Sequence, residues 1–180
     1  MRLYLVRHPP PAVAAGTCYG RTDLPLVADP ATCAAALRPL LPAAATLYSS
    51  PLTRCRQLAD RLHDAPIFDD RLLELDFGAW EMQPWDAIDR AALDAWAADP
   101  LNFVPPGGEA VADLRLRVLE FIAQLPEEAV LVAHAGVMKI CVAELAGVLA
   151  SEWFSMRFDY GTATLIEDGR LVWQNRAHGR

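Results

Sequence analysis

The chain has 180 residues, of which 53% are hydrophobic and 22% charged, and its net charge is −7. Those totals describe one globular domain with enough chain to bury a core without staples, a globular composition and not a disordered one. The acidic balance argues against a general nucleic-acid binder, whose surface is normally basic, although a locally positive site for a small anion remains compatible with it.

Cys18, Cys33, Cys55 and Cys141 form no C-x-x-C pair and no zinc-module spacing, so they read as reduced thiols in a cytosolic protein. The histidines lack close ligand spacing, and a metal or other cofactor is not expected. The apolar run before Arg7 is too short for a secretion signal. The stretch Gly136–Ala150 contains Lys139 and Glu144 and is too short to span a bilayer, so no membrane role is expected.

In chain order, Arg2 to Val6 predicts a buried strand that ends in Arg7-His8. Residues 9 to 28, rich in Pro and Gly, predict a long loop of the kind that often carries function. Asp29-Pro30 starts a helix running to about Leu41. Ala45 to Ser50 predicts a second strand. Ser50-Pro51 opens a second helix, with Leu52, Cys55, Ala59 and Leu62 as its inner stripe and Arg54 off that stripe.

A short strand near Ile67 follows, and then an aromatic, irregular stretch over 71 to 83. Pro84 to Ala98 and Glu109 to Leu125 predict helices, the latter with Val111, Leu114, Val118, Phe121 and Leu125 on one face. Ala129 to His134 predicts a third strong strand, and Gly136 to Leu149 another helix. Two strands, Thr162–Glu167 and Arg170–Asn175, flank Asp168-Gly169 as a closing hairpin. The alternation implies a three-layer α/β/α domain with a mainly parallel sheet.

Ligands of such sheets bind beyond the carboxyl ends of the strands. Three strand ends carry polar groups: Arg7-His8, Ser49-Ser50 leading to Arg54, and His134 leading to Ala135-Gly136. A neutral imidazole is a nucleophile toward phosphorus, and two guanidinium forks suit phosphoryl oxygens. The arginines would also keep a neighbouring histidine unprotonated. A second histidine and the backbone N–H groups at the following helix starts, Ala135 included, would add donors. Glu74 is the best candidate for the acid, with Asp76 and Glu81 close by. Tyr19, Gly20 and Arg21 of the long loop, together with Glu81, are candidate substrate contacts. The five tryptophans read as core more than as a ligand platform.

Five segments in order resemble the histidine phosphatase superfamily, with its phosphoglycerate-mutase-like fold. They are LVRHPP, SSPLTRCRQLAD, ELDFGAWE, PGGEAVADLRLRV and VLVAHAG. Within that superfamily GTCYGRTDLPL looks most like the α-ribazole phosphatase branch. The resemblance implies a metal-independent phosphomonoesterase in which His8 forms a phosphohistidine. Arg7, Arg54 and His134 would bind the phosphoryl oxygens, and Glu74 would serve first as acid and then as base.

The implied substrate is a small phosphomonoester, α-ribazole 5′-phosphate in cobalamin nucleotide-loop assembly. Alternatives are a broad sugar or nucleotide phosphatase, a protein phosphohistidine phosphatase, a mutase, or a non-catalytic phosphoester-binding protein. A homodimer is left open. The sequence departs from the family pattern at Pro9, Ala14, Leu58 and Ala135. These residues make the phosphate pocket less polar and remove one backbone donor beside His8.

Overall fold

The structure is a computed structural model that describes residues 1–153 and 155–178. Six strands form one sheet: β1 (Arg2–Arg7), β2 (Thr46–Ser49), β3 (Ile67–Phe68), β4 (Glu128–Ala133), β5 (Ala163–Glu167) and β6 (Arg170–Arg176), in the spatial order β3-β2-β4-β1-β5-β6. The first four strands of that order run parallel. The last two form an antiparallel hairpin on the edge beside β1. Its turn residues, Asp168 and Gly169, have φ of 47° and 76°, as a tight primed turn requires.

The central strand β4 is buried along nearly its whole length, as expected for a parallel strand covered on both faces. Its neighbours β1 and β2 pair with it in register, Leu5 opposite Leu131 and Tyr48 opposite Leu131 on the other side. One core, built on Leu3, Leu5, Leu114, Val118, Phe121 and Ile140, lies on one face of the sheet. The second, with Val6, Ala34, Leu37, Leu47, Cys55 and Leu58, lies on the other. This gives the three-layer architecture that the alternation of elements implies.

The helices are α1 (Ala31–Leu37), α2 (Thr53–Leu62), α3 (Arg90–Ala98), α4 (Val111–Ile122), α5 (Ala135–Ala146) and the short α6 (Ala150–Trp153). α6 has no counterpart among the expected elements, and the first three helices differ from expectation in their bounds. The first stops at Leu37 and passes into a 3₁₀ turn, because Pro39 supplies no N–H to continue it. The second starts at Thr53 instead of Ser50, where Asp23 of the long loop accepts the Thr53 N–H and hydroxyl at 2.7 Å each. The third covers only Arg90–Ala98, because Asp89 accepts the Ala92 N–H and starts the helix there. Gly147, at φ 67°, closes α5 in the left-handed conformation. Among the described residues, no helix is long and apolar enough to cross a membrane.

Candidate active site

Each of the three parallel strands β1, β4 and β2 is followed at its carboxyl end by a buried polar residue. The ladder carries on past the strands: the His8 N–H reaches Ala133 O at 3.2 Å, and the Ser50 N–H reaches Val132 O at 3.0 Å. His8, His134 and Ser50 therefore stand side by side, all at most 1% exposed. The rings of His8 and His134 lie 5.1 Å apart at 62°.

Their tautomers follow from their partners. His8 Nδ1 is 2.7 Å from the carbonyl oxygen of Pro9, so it carries the hydrogen and leaves a lone pair on Nε2. Proline at this position costs a backbone donor, but its carbonyl still orients the ring. Arg54 Nε donates to His134 Nδ1 at 3.3 Å, so His134 carries its hydrogen on Nε2 and gives it to Ser50 Oγ at 2.8 Å. Cys55 Sγ packs 3.5 Å from the same Nε2.

Arg54 is 0% exposed. Its guanidinium donates to the carbonyls of Thr22, at 2.8 Å, and Gly20, as well as to His134. Arg7 donates to the Phe158 carbonyl and lies beneath Tyr160, 3.7 Å from its ring centroid, while its buried Nε has no partner. Neither arginine forms an ion pair with a carboxylate among the described residues.

This environment keeps the imidazoles neutral. Burial, then Arg54 and to a lesser degree Arg7, push His8 down to about 3, while the Pro9 hydrogen bond acts in the opposite direction. Burial, with His8 and the arginines behind it, holds His134 well below the ordinary histidine value. Burial also pushes the Cys55 thiol up, which makes it inert packing.

Glu74 reaches the cluster from the other side. Its Oε2 accepts the Gly136 N–H at 3.0 Å, and its Oε1 accepts the Leu75 N–H at 3.0 Å. A Cβ on Gly136 would stand 2.2 Å from Oε1, so the glycine is what admits the carboxylate. The segment around Glu74 is held from below by Arg117. That side chain pairs with Glu109 through both oxygens, at 2.7 and 2.8 Å, and donates to the carbonyls of Arg71, Leu73 and Glu74.

The structure brings His8, Arg7, Arg54 and His134 to one edge of the sheet and holds Glu74 at the head of α5, the helix that follows His134. The helix-start donors are spent differently. The Gly136 N–H goes to Glu74 and the Thr53 N–H to Asp23, and Ala135 is the first residue of α5, directly after His134.

The expected loop contacts separate into two groups. Tyr19 is close, its hydroxyl 2.5 Å from that of Tyr160. Gly20 touches Arg54 through its carbonyl, and a Cβ there would sit 1.9 Å from Leu75 O. The side chains of Arg21 and Glu81 instead hold the loop in place. Arg21 pairs with Glu109 at 3.2 Å and Asp76 at 3.6 Å. The oxygens of Glu81, expected to face substrate, accept N–H groups of Arg21, Thr22 and Phe77 and the Thr22 hydroxyl. Burial works to raise the Glu81 pKa, but those donors outweigh it and hold it below the usual value.

Sequence reasoning missed the contacts of Ser50 and Tyr160. Ser50 was legible as a polar strand end, but its partner was not. Tyr160 lies in a coil just before β5 with no motif around it.

Comparisons with known proteins identify the family. A family model described as the histidine phosphatase superfamily (branch 1) matches residues 3–178. An adenosylcobalamin/alpha-ribazole phosphatase of Escherichia coli K12 is 31% identical over 93% of this chain and 90% of its own length. The protein of that name from Salmonella typhimurium is 30% identical over the same shares. The crystal structure of a phosphoglycerate mutase from Thermus thermophilus superposes with a TM-score of 0.81 at 31% identity, covering 98% of this chain and 99% of its own. With its family match spanning nearly the whole sequence, the chain belongs to the histidine phosphatase superfamily, branch 1.

Proposed function

We propose that the protein is a metal-independent phosphomonoester hydrolase that works through a phosphohistidine on His8. The observation that carries this reading is two arginines, without a carboxylate partner among the described residues, beside two neutral histidines. A buried cation without a counter-ion is costly, and an anion bound between the forks would offset that cost. The unpartnered Nε of Arg7 is a donor waiting for such an oxygen.

In the proposed reaction His8 Nε2 attacks phosphorus, a P–N bond forms and the P–O bond to the leaving group breaks. Glu74 gives its proton to the departing alkoxide. Water then attacks the phosphohistidine, Glu74 takes back a proton, and phosphate leaves with His8 restored. Arg7 and Arg54 hold the phosphoryl oxygens and offset their charge, so the step needs no metal ion. The Ala135 N–H and the His134 Nε2–H, released from Ser50, serve the remaining oxygen.

We assign α-ribazole 5′-phosphate as the preferred substrate and the cytoplasm as the site of action. The two curated relatives that carry that phosphatase name at about 30% identity support the substrate. The structural similarity to a phosphoglycerate mutase keeps a second reading in play.

The first test is p-nitrophenyl phosphate turnover in EDTA, wild type against His8→Ala. Metal-free activity confined to the wild type is the expected result, and equal background rates would favour a non-catalytic phosphoester-binding protein. The second is a kcat/KM ranking of metabolite phosphates with α-ribazole 5′-phosphate among them, where a flat ranking removes the substrate assignment. Conversion of 3-phosphoglycerate to its 2-isomer without phosphate release would replace hydrolase by mutase.

A further inference from the structure

Two tyrosines meet beside the buried groups of the sheet edge. His8, His134 and Arg54 are all but fully enclosed. Tyr160 lies against Arg7, its ring centroid 3.7 Å from the guanidinium carbon, and against the His8 ring at 5.5 Å. The Tyr19 ring faces Arg54, 5.6 Å from its guanidinium carbon. Each arginine therefore carries one ring, and the two hydroxyls meet at 2.5 Å.

The backbones that carry these rings are fastened. Next to Tyr160, the Gly161 N–H reaches the carbonyls of Arg7 and His8 at 3.1 and 3.2 Å. Beside Tyr19, Cys18 makes 2.8 Å bonds with Met82 and Gln83, and the Gly20 carbonyl accepts from Arg54. Moving either segment would break several bonds at once. Parting the two side chains breaks one bond, between neutral hydroxyls, which shifts an equilibrium only about two- to tenfold. Burial, followed by the Tyr160 bond, raises the Tyr19 pKa against the pull of both arginines, so that hydroxyl keeps its hydrogen.

We infer that Tyr19 and Tyr160 form a gate at the phosphoryl site, and that a phosphomonoester enters when their hydroxyls part and the side chains rotate away from each other. Only the open fraction binds, so the apparent affinity is reduced by that fraction. The inference rests on the hydrolase reading for the identity of what enters. It goes beyond that reading by naming two residues that set access, one of which, Tyr160, lies outside the five segments of the family resemblance.

Access is read from carbethoxylation of His8 by diethyl pyrocarbonate, followed by mass spectrometry, with the exposed His178 as internal reference. Tyr19→Phe and Tyr160→Phe keep both rings and remove the hydroxyl link. In each variant His8 should be labelled about 5-fold faster than in the wild type, the effect of one neutral hydrogen bond on the open fraction. His178 should keep its rate. The kcat/KM for p-nitrophenyl phosphate should rise by a similar factor, through a lower KM. Should one variant fail to fold, the other decides, since either removes the link.

His8 labelling at the wild-type rate in the variants overturns the gate and leaves the hydrolase reading standing. A fall in kcat/KM without faster labelling overturns it as well, because it would assign the hydroxyls to the bound phosphoryl group. Faster labelling in the variants, with no p-nitrophenyl phosphate turnover by any of the three proteins, upholds the gate and overturns the hydrolase reading instead.

Discussion

Acid should unfold this protein partly through its two site histidines, and His8 allows the effect to be isolated. The His8 ring is 1% exposed and faces Arg7, Arg54, His134 and Tyr160, none of which accepts a charge from it. Its pKa falls from an ordinary 6.5 to about 3 on folding. The unfolded chain therefore binds the proton that the folded chain refuses. The contribution of the neutral ring to stability is fully present above pH 6.5 and is lost progressively as the pH falls toward 3.

At pH 5 the unfolded ring is almost wholly protonated and the folded one almost wholly neutral, a difference of about 2 kcal/mol. That is a sizeable share of the 5–15 kcal/mol or so that stabilises a typical domain. His134, held well below the usual value by the same burial, acts in the same direction.

The assay is urea denaturation at pH 7 and pH 5 for the wild type and for His8→Asn, whose amide can still donate to Pro9 O. Surface carboxylates act alike in both chains and drop out of the comparison. The variant should lose about 2 kcal/mol less than the wild type between the two pH values. An identical pH dependence in the two proteins would refute the reasoning, since it would mean that His8 is protonated to the same degree folded and unfolded.

Three further outcomes follow from close contacts. Gly136→Ala puts a methyl 2.2 Å from Glu74 Oε1, so kcat for p-nitrophenyl phosphate should fall about 100-fold; an unchanged kcat would remove Glu74 from the reaction. Ser50→Ala leaves the buried His134 Nε2–H without its acceptor and should cost about 1–3 kcal/mol in urea, with Ser50→Thr restoring part of it; a neutral Ser50→Ala would show that the bond is dispensable. Glu81→Gln removes the charge that gathers Arg21, Thr22 and Phe77, so limited proteolysis within residues 9 to 28 should quicken, and equal cleavage rates would show that the loop is held elsewhere.

Periodicity was enough to place β1, β4, α4 and the closing hairpin, because each carries a buried face or turn residues that say so locally. It also put Arg7, His8, Ser50 and His134 at strand ends, and parallel pairing then brings them to one edge. Helix starts were harder to read. Ser50-Pro51 looks like a beginning, but the group that caps α2 is Asp23, thirty residues upstream, a partner no local pattern reveals. The long stretch before Ala98 is apolar enough for one helix, yet Asp89 divides it.

Side-chain pairings inside the site were the least legible part. Glu74, between two leucines, and Glu81, after Trp80, are acidic candidates in one short segment. The folded chain shows what the sequence does not: Glu81 is saturated by loop donors, while Glu74 lies against the head of α5.

The middle position of β4 has a further consequence for synthesis. Its flanking strands come from the first third of the chain, but the piece that joins them and brings His134 emerges well past the midpoint. A nascent chain halted before that strand holds His8 and Arg54 with nothing to align them. Turnover should therefore appear abruptly in a series of lengthening fragments, making the reaction itself a gauge of when the sheet closes.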